Sequence, residues 1–134
     1  MEPDTLCSAL RILVVEDNKI NQRLVLAMLK KMGHSADVAE NGQVALDIIK
    51  QSIFDVVLMD LQMSVMNGIE CTKYIREELH LDKVVLPIIG LTASFQNSDI
   101  DFYKGIGMNS CVGKPLRMDS LKNVLKNEVQ KLRE

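Results

Sequence analysis

The sequence predicts a three-layer α/β fold, a doubly wound sheet of five parallel strands with five helices on its two faces. Three observations predict it. Five short, β-branched apolar runs alternate with five stretches of helical period, the connections between them are short, and polar residues stand immediately after the apolar runs. Parallel strands require right-handed crossovers, so the loops at their carboxyl ends converge on a single edge of the sheet. In such folds ligands sit at that edge, where the strand order reverses.

Arg11 to Glu16 (RILVVE) reads as a first strand buried on both faces. Asp17 and Asn18 can cap the helix that follows, in which Ile20, Leu24, Ala27 and Met28 recur at helical spacing until Gly33 stops it. His34 to Ala39 reads as a weaker strand, and Gln43 to Gln51 as a helix with Val44, Ala45, Ile48 and Ile49 forming its apolar stripe. Phe54 to Met59 is the third strand. Asp60 and the loop LQMSVMNG follow it, and a helix then runs from Ile69 to Leu79, with Ile69, Thr72, Lys73 and Arg76 mapping its two faces. Leu86 to Leu91 is the fourth strand, with Pro87 near its start, where a missing donor is tolerated. Asp99 to Ile106 forms a shorter helix and Ser110 to Val112 a short strand. Met118 to Leu132 closes the chain as a helix with Leu121, Leu125 and Val129 in register. Residues 1–10 read as a flexible N-terminal tail and residues 11–132 as one domain.

Composition narrows the function. Apolar residues make up 47% of the 134 and charged residues 25%, which suits a globular chain and excludes a disordered or collagen-like one. The formal net charge is −2 and basic residues are mixed with acids, so nothing would attract nucleic acid. With no Trp and 4% aromatics, the core must come from Val, Ile, Leu and Met, with Met28, Met59 and Met118 at core positions. Cys7, Cys71 and Cys111 have no CxxC spacing, which fits a reducing compartment, the latter two as buried small hydrophobes. The longest apolar run, Val84 to Leu91, is broken by Pro87 and Gly90 and is far shorter than the ~18 residues of a spanning helix. We expect a cytoplasmic protein, or a cytosolic piece of a membrane-attached one, that makes no membrane contact itself. His34 and His80 read as solvated polar residues, and Lys122, Lys126 and Lys131 as the wet face of the last helix.

The chemistry-bearing residues follow the strands. Glu16 and Asp17 end the first, Asp60 the third and Thr92 the fourth, and Lys114 follows the fifth. In a parallel sheet all five share one edge. Three carboxylates within roughly 5 Å would repel by about 3 kcal/mol per pair at an effective dielectric near 20. Hard oxygen ligands in an open cleft suit Mg²⁺, with Mn²⁺ able to substitute. A carboxylate beside that ion, a fixed ammonium and a hydroxyl is suited to accepting a phosphoryl group as a nucleophile, by positioning and electrostatics.

The runs LVVEDNKINQ, VVLMDLQM, NG, LTA and GKP make the resemblance specific. Their order and spacing resemble the response-regulator receiver domain of two-component phosphorelay signalling, and the EDNxxNQ form resembles receivers attached to hybrid histidine kinases. The resemblance covers about residues 11 to 132 and implies a flavodoxin-like fold. It also implies that the partner is a histidine kinase or histidine phosphotransfer protein, and that the domain is a monomer or weak dimer. It makes Asp60 the phosphoacceptor, Asp17 a direct Mg²⁺ ligand, Glu16 an acid acting on the metal through water, and the Gln62 backbone carbonyl a further ligand. Thr92 would bond a phosphoryl oxygen, Lys114 would pair with the phosphoryl group, and Lys114-Pro115 would be cis. Gln62 and Ser94 would flank the water path to the acyl phosphate, the domain acting only on itself and not as an independent turnover enzyme.

Two positions depart from the family's pattern. Met63-Ser64 stands where most receivers have Met-Pro, and Cys111 where an aromatic often turns inward on phosphorylation. The competing reading is a pseudo-receiver that binds partners without being phosphorylated. A haloacid-dehalogenase-like phosphatase would need DxD after the first strand, where this chain has Glu16-Asp17-Asn18. A nucleotide hydrolase would need a Gly-rich phosphate loop, which is not present.

Overall fold

A computed structural model of the chain describes residues 9–63, 65–93 and 97–129. Five parallel strands, β1 (Arg11–Val15), β2 (Ser35–Ala39), β3 (Val56–Asp60), β4 (Ile88–Thr92) and β5 (Ser110–Gly113), form one sheet in the order β2-β1-β3-β4-β5. Five helices alternate with them: α1 (Lys19–Lys31), α2 (Gly42–Gln51), α3 (Gly68–Glu77), α4 (Asn97–Ile106) and α5 (Met118–Glu128). The chain steps outward from β1 to β2, crosses back over β1 to β3, and then continues the other way. The strand order therefore reverses between β1 and β3, whose carboxyl ends carry Glu16 and Asp60.

Alternating side chains of the sheet divide the core in two. Leu13, Val15, Val57, Met59 and Ile88 pack with Ala45, Leu46 and Ile49 of α2 and Cys71 and Ile75 of α3. Ile12, Val14, Val56, Leu58, Ile89 and Leu91 pack on the opposite face with Val25 and Leu29 of α1 and Leu121, Val124 and Leu125 of α5. Each such aliphatic side chain contributes roughly 1.5–3 kcal/mol when fully buried. Among the described residues, no helix is long and apolar enough to cross a membrane.

The expected elements are all present, with boundaries moved by partners the sequence does not show. Asp55 does not join β3 because its carboxylate accepts from the Arg11 amide at 2.7 Å. Asp60 does join it, paired with Leu91 of β4. Pro87 stays outside β4, its carbonyl accepting from Val57. Gly33 ends α1 as expected, at φ 89°. Residues 1–8, and 130–132 of the expected last helix, lie outside the described residues, as do Cys7 and Lys131.

The apolar face of α1 needs correction. Ile20 and Leu24 are 75% and 47% exposed, and the buried face instead carries Gln22, Val25 and Leu29. The angular offset between the two sets is about 150° at 3.6 residues per turn, so the helix turns Ile20 and Leu24 largely away from the sheet. In α2, Leu46 is buried while Val44 and Ile48 are only partly so. Met59 is buried and Met28 packs against the core, but Met118 is half-exposed. Cys71 and Cys111 are buried free thiols, as expected.

His34 is half-buried instead of solvated. Its Nδ1 accepts from the Leu10 amide at 3.0 Å and its own amide donates to Leu29 O, so it ties the end of α1 to the start of β1. Burial lowers its pKa from 6.5, Asp55 countering in part. A base held neutral in the fold contributes stability that is complete above 6.5 and is lost as the pH falls below it. The parent is therefore expected to lose more Tm between pH 7.5 and 5.5 than His34→Gln, measured by thermal denaturation across that range. Parallel curves would show that His34 contributes nothing to the slope.

Candidate functional site

The site is built by the reversal of strand order. Glu16 and Asp17 follow the last residue of β1, Asp60 ends β3, Thr92 ends β4 one residue past the Asp60 partner Leu91, and Lys114 follows β5. One carboxylate oxygen from each of Glu16, Asp17 and Asp60 lies within 4.8 Å of the other two. Lys114 Nζ lies 3.1 Å from Asp60 Oδ1 and 3.5 Å from Glu16 Oε1, bridging two of the three acids. Glu16, Asp60 and Thr92 are buried and Asp17 is exposed, so the cluster opens to solvent on the Asp17 side.

Local structure holds each group. The Glu16 amide donates to Ala39 O of β2 at 3.0 Å, and Glu16 Oε2 accepts from the Asn18 amide at 3.1 Å. Asn18 in turn caps α1, its side chain accepting from the Asn21 amide at 3.0 Å. Asp60 Oδ1 accepts from both Lys114 Nζ and the Gln62 amide, the latter at 3.1 Å. The Lys114 amide donates to Thr92 O at 2.7 Å, and the Lys114-Pro115 bond is cis.

Behind Asp60, α3 begins with a reciprocal cap. Asn67 Oδ1 accepts from the Glu70 amide and Glu70 Oε1 from the Asn67 amide. Gly68 lies so close to the Asp60 carbonyl that a Cβ would collide with it. That explains why the loop ends in Asn-Gly. Val65 in the same loop has φ 69°, a left-handed conformation uncommon for a β-branched residue.

Burial raises the Glu16 carboxyl above the usual 4.5, the Asn18 amide pulls it partly back, and the Asp60 carboxylate beside it raises it further. One ammonium faces three acids. Hard oxygen donors in excess of the available positive charge, gathered at a partly open edge, are what a small divalent cation needs, and the set fits Mg²⁺. The carboxylates of Glu16, Asp17 and Asp60 and the Lys114 ammonium come together, and Thr92 ends the strand beside Asp60. Gln62 contributes its amide to Asp60, and Ser94 and Ser64 lie outside the described residues. Spacing alone missed Gln22, which is buried with its amide on Glu16 O, and it missed the exposure of Ile20 and Leu24 beside the site. The NQ that ends the EDNxxNQ run was the available signal for Gln22.

A family model described as the response regulator receiver domain matches residues 12–126. Hybrid signal transduction histidine kinase K of Dictyostelium discoideum is 34% identical over 125 residues, a match covering 90% of this chain and 10% of that protein. The chain thus spans about a tenth of that relative's length. The receiver domain of a Pseudomonas aeruginosa sensor histidine kinase, solved with magnesium coordinated in its active site cleft, is 32% identical with a TM-score of 0.77, covering 90% of this chain and 98% of that one. A Saccharomyces cerevisiae complex pairs a histidine phosphotransfer signaling protein with the receiver domain of its downstream response regulator. It matches at 31% identity and TM-score 0.82, covering 92% of this chain and 90% of that one.

The raised Glu16 pKa has a direct consequence for stability. Its ionised form is disfavoured in the fold, so it costs stability at neutral pH, and the cost fades as the pH falls toward 4.5, where the unfolded chain also protonates. With chelator at pH 7.5, Glu16→Gln is expected to raise Tm by several degrees, and the gain should shrink toward pH 4.5. Adding Mg²⁺ should stabilise the parent more than the variant. A differential scanning measurement in which the variant melts at or below the parent at pH 7.5 would contradict the repulsion.

Proposed function

The chain belongs to the response regulator receiver domain family of two-component signalling, and from that premise we propose that Asp60 accepts a phosphoryl group from a phosphohistidine partner in a Mg²⁺-dependent reaction. The observation that carries this reading is the meeting of Glu16, Asp17 and Asp60 within 4.8 Å, with Lys114 on Asp60 at 3.1 Å. When bound, Mg²⁺ would screen the acids and the incoming phosphoryl oxygens from one another. Asp17 and Asp60 would hold it directly, Glu16 through water, with the Gln62 carbonyl as a further ligand.

Lys114 and the Gln62 amide both engage Asp60 Oδ1, which restrains the carboxylate. A carboxylate oxygen forms the new P–O bond as the P–N bond to the donor imidazole breaks, and the imidazole nitrogen keeps the electron pair. A carboxylate nucleophile needs no general base. Lys114 and the Thr92 hydroxyl, at the same edge, meet charge on the equatorial oxygens. Reversal by water would make the domain act on itself, without independent turnover.

In-line transfer requires a partner seated over the acidic edge. Ile20 and Leu24 are exposed on α1 beside it, and Leu24 lines a 380 Å³ apolar pocket with Lys114, Pro115 and Leu116. That surface suits the apolar face of a histidine kinase or phosphotransfer protein. The receiver unit runs over residues 11–132 and works as a monomer or weak dimer; Leu10, expected in the tail, is instead 1% exposed in the core, with its amide on His34. The free buried thiols suit a reducing cytosol.

Asp60→Asn is expected to abolish labelling by acetyl phosphate with Mg²⁺ and by a phosphorylated histidine partner, with the circular dichroism spectrum unchanged. Borohydride trapping and mass spectrometry should map the parent's acyl phosphate to Asp60. Equal labelling of parent and variant would refute the assignment, and no labelling of either would favour a pseudo-receiver. Leu24→Ser is expected to slow transfer from the protein donor by about tenfold while leaving acetyl phosphate labelling at the parental rate, as for a contact residue in an interface. Equal slowing with both donors would place Leu24 in the fold and not in docking.

A further inference from the structure

Gln22 is 8% exposed on α1, and a buried side-chain amide is costly unless it is bonded. Its Nε2 donates to Glu16 O at 2.6 Å, a short bond from the first full turn of the helix back to the residue that follows β1. The pairing of β1 ends at Val15, opposite Ala39 and Met59, so the Glu16 carbonyl lies beyond the last paired residue of the strand. Gln22 supplies a donor there.

We propose that Gln22 is a positioning residue for the cation site, holding the Glu16–Asp17 peptide so that both carboxylates face Asp60. The inference rests on the Mg²⁺ reading above. Besides the Lys114 ion pair, three hydrogen bonds hold Glu16 to its own strand end and helix: its amide on Ala39 O, its carboxylate on the Asn18 amide, and its carbonyl on Gln22. The first two fix the residue and its side chain. The third fixes the plane of the peptide leading into Asp17, whose own carboxylate is exposed and has no hydrogen-bond partner among the described residues. Asp17 is thus aimed by its main chain, and Gln22 sets that main chain. Asn18 and Gln22 divide the work within one run of sequence, the first holding the Glu16 carboxylate and capping α1, the second holding the Glu16 carbonyl from one turn further on.

Groups that orient metal ligands without touching the ion typically change affinity by 10–100-fold when removed. Gln22→Met keeps the length and burial of the side chain and removes the donor. Mg²⁺ affinity is read by calorimetry, and amide shifts of Glu16, Asp17 and Asn18 are read in the metal-free protein. Val25→Ala, on the buried face of the same helix, serves as the comparison for a purely structural loss. Gln22→Met is expected to weaken Mg²⁺ binding at least about tenfold and to move the three amide resonances without metal. Val25→Ala is expected to lower Tm with Mg²⁺ affinity at the parental value.

Parental affinity in Gln22→Met, or a loss in Val25→Ala that matches its own, would overturn the proposal. If Gln22→Met does not fold, Gln22→Asn withdraws the amide by one methylene, and the same two outcomes decide. A parent that does not bind Mg²⁺ would overturn the cation reading itself, whereas a binding parent with an indifferent position 22 would overturn only the role of Gln22.

Discussion

The structure is organised around a repulsion that topology makes unavoidable. Reversal of the strand order between β1 and β3 brings Glu16 and Asp17 against Asp60, and three carboxylate oxygens come within 4.8 Å of one another. Two of those acids are buried. Such an arrangement lowers the stability of the fold unless positive charge enters it, and Lys114, carried in from beyond β5, bridges Glu16 and Asp60. One ammonium cannot balance three acids. The residual negative charge favours a cation at this edge.

The scaffold withstands this charge because the three central strands behind it, β1, β3 and β4, are buried on both faces. All five residues of β3 and of β4 are buried, and four of the five in β1. Two independent packing layers hold the sheet, so a charged edge worth a few kcal/mol of destabilisation is set against many buried aliphatic side chains. Polar fastening is confined to the strand ends. Arg76 shows the pattern at the edge away from the acids, where its guanidinium donates to Gly107 O, Leu81 O, Asp82 O and Leu86 O and to Asn109 Oδ1. Burial lowers its pKa to about 10, which still leaves it charged at neutral pH.

The succession of strands and helices, and the polar residues that close β1, β3 and β4, were legible in the sequence because they depend on local signals: β-branched runs and the residue that ends each one. Strand limits were less legible, since they are set by partners distant in sequence. Asp55 is withdrawn from β3 by the Arg11 amide, and Asp60 is drawn into it by Leu91. The face of α1 was misread for a different reason. Ile20 and Leu24 have the spacing of a core stripe, and spacing alone cannot distinguish apolar residues that face the sheet from apolar residues that face solvent. Gln22 was overlooked for the converse reason, a polar residue whose burial depends on a single carbonyl.

The path from the site to the surface differs from the family's usual arrangement in one respect. Where related receivers often carry an aromatic that swings inward, Cys111 is buried against β4, in a place made by the missing side chain of Gly90: a Cβ there would lie 3.0 Å from Cys111 Sγ and 2.8 Å from Met108 Sδ. Burial pushes the thiol to about 11, so it is a packed neutral group and not a thiolate. A group this small has no large side-chain arc with which to report on Thr92. A main-chain bond links Thr92 O to the Lys114 amide at 2.7 Å. Displacement of the β4 end would therefore draw directly on the residue that pairs with Asp60.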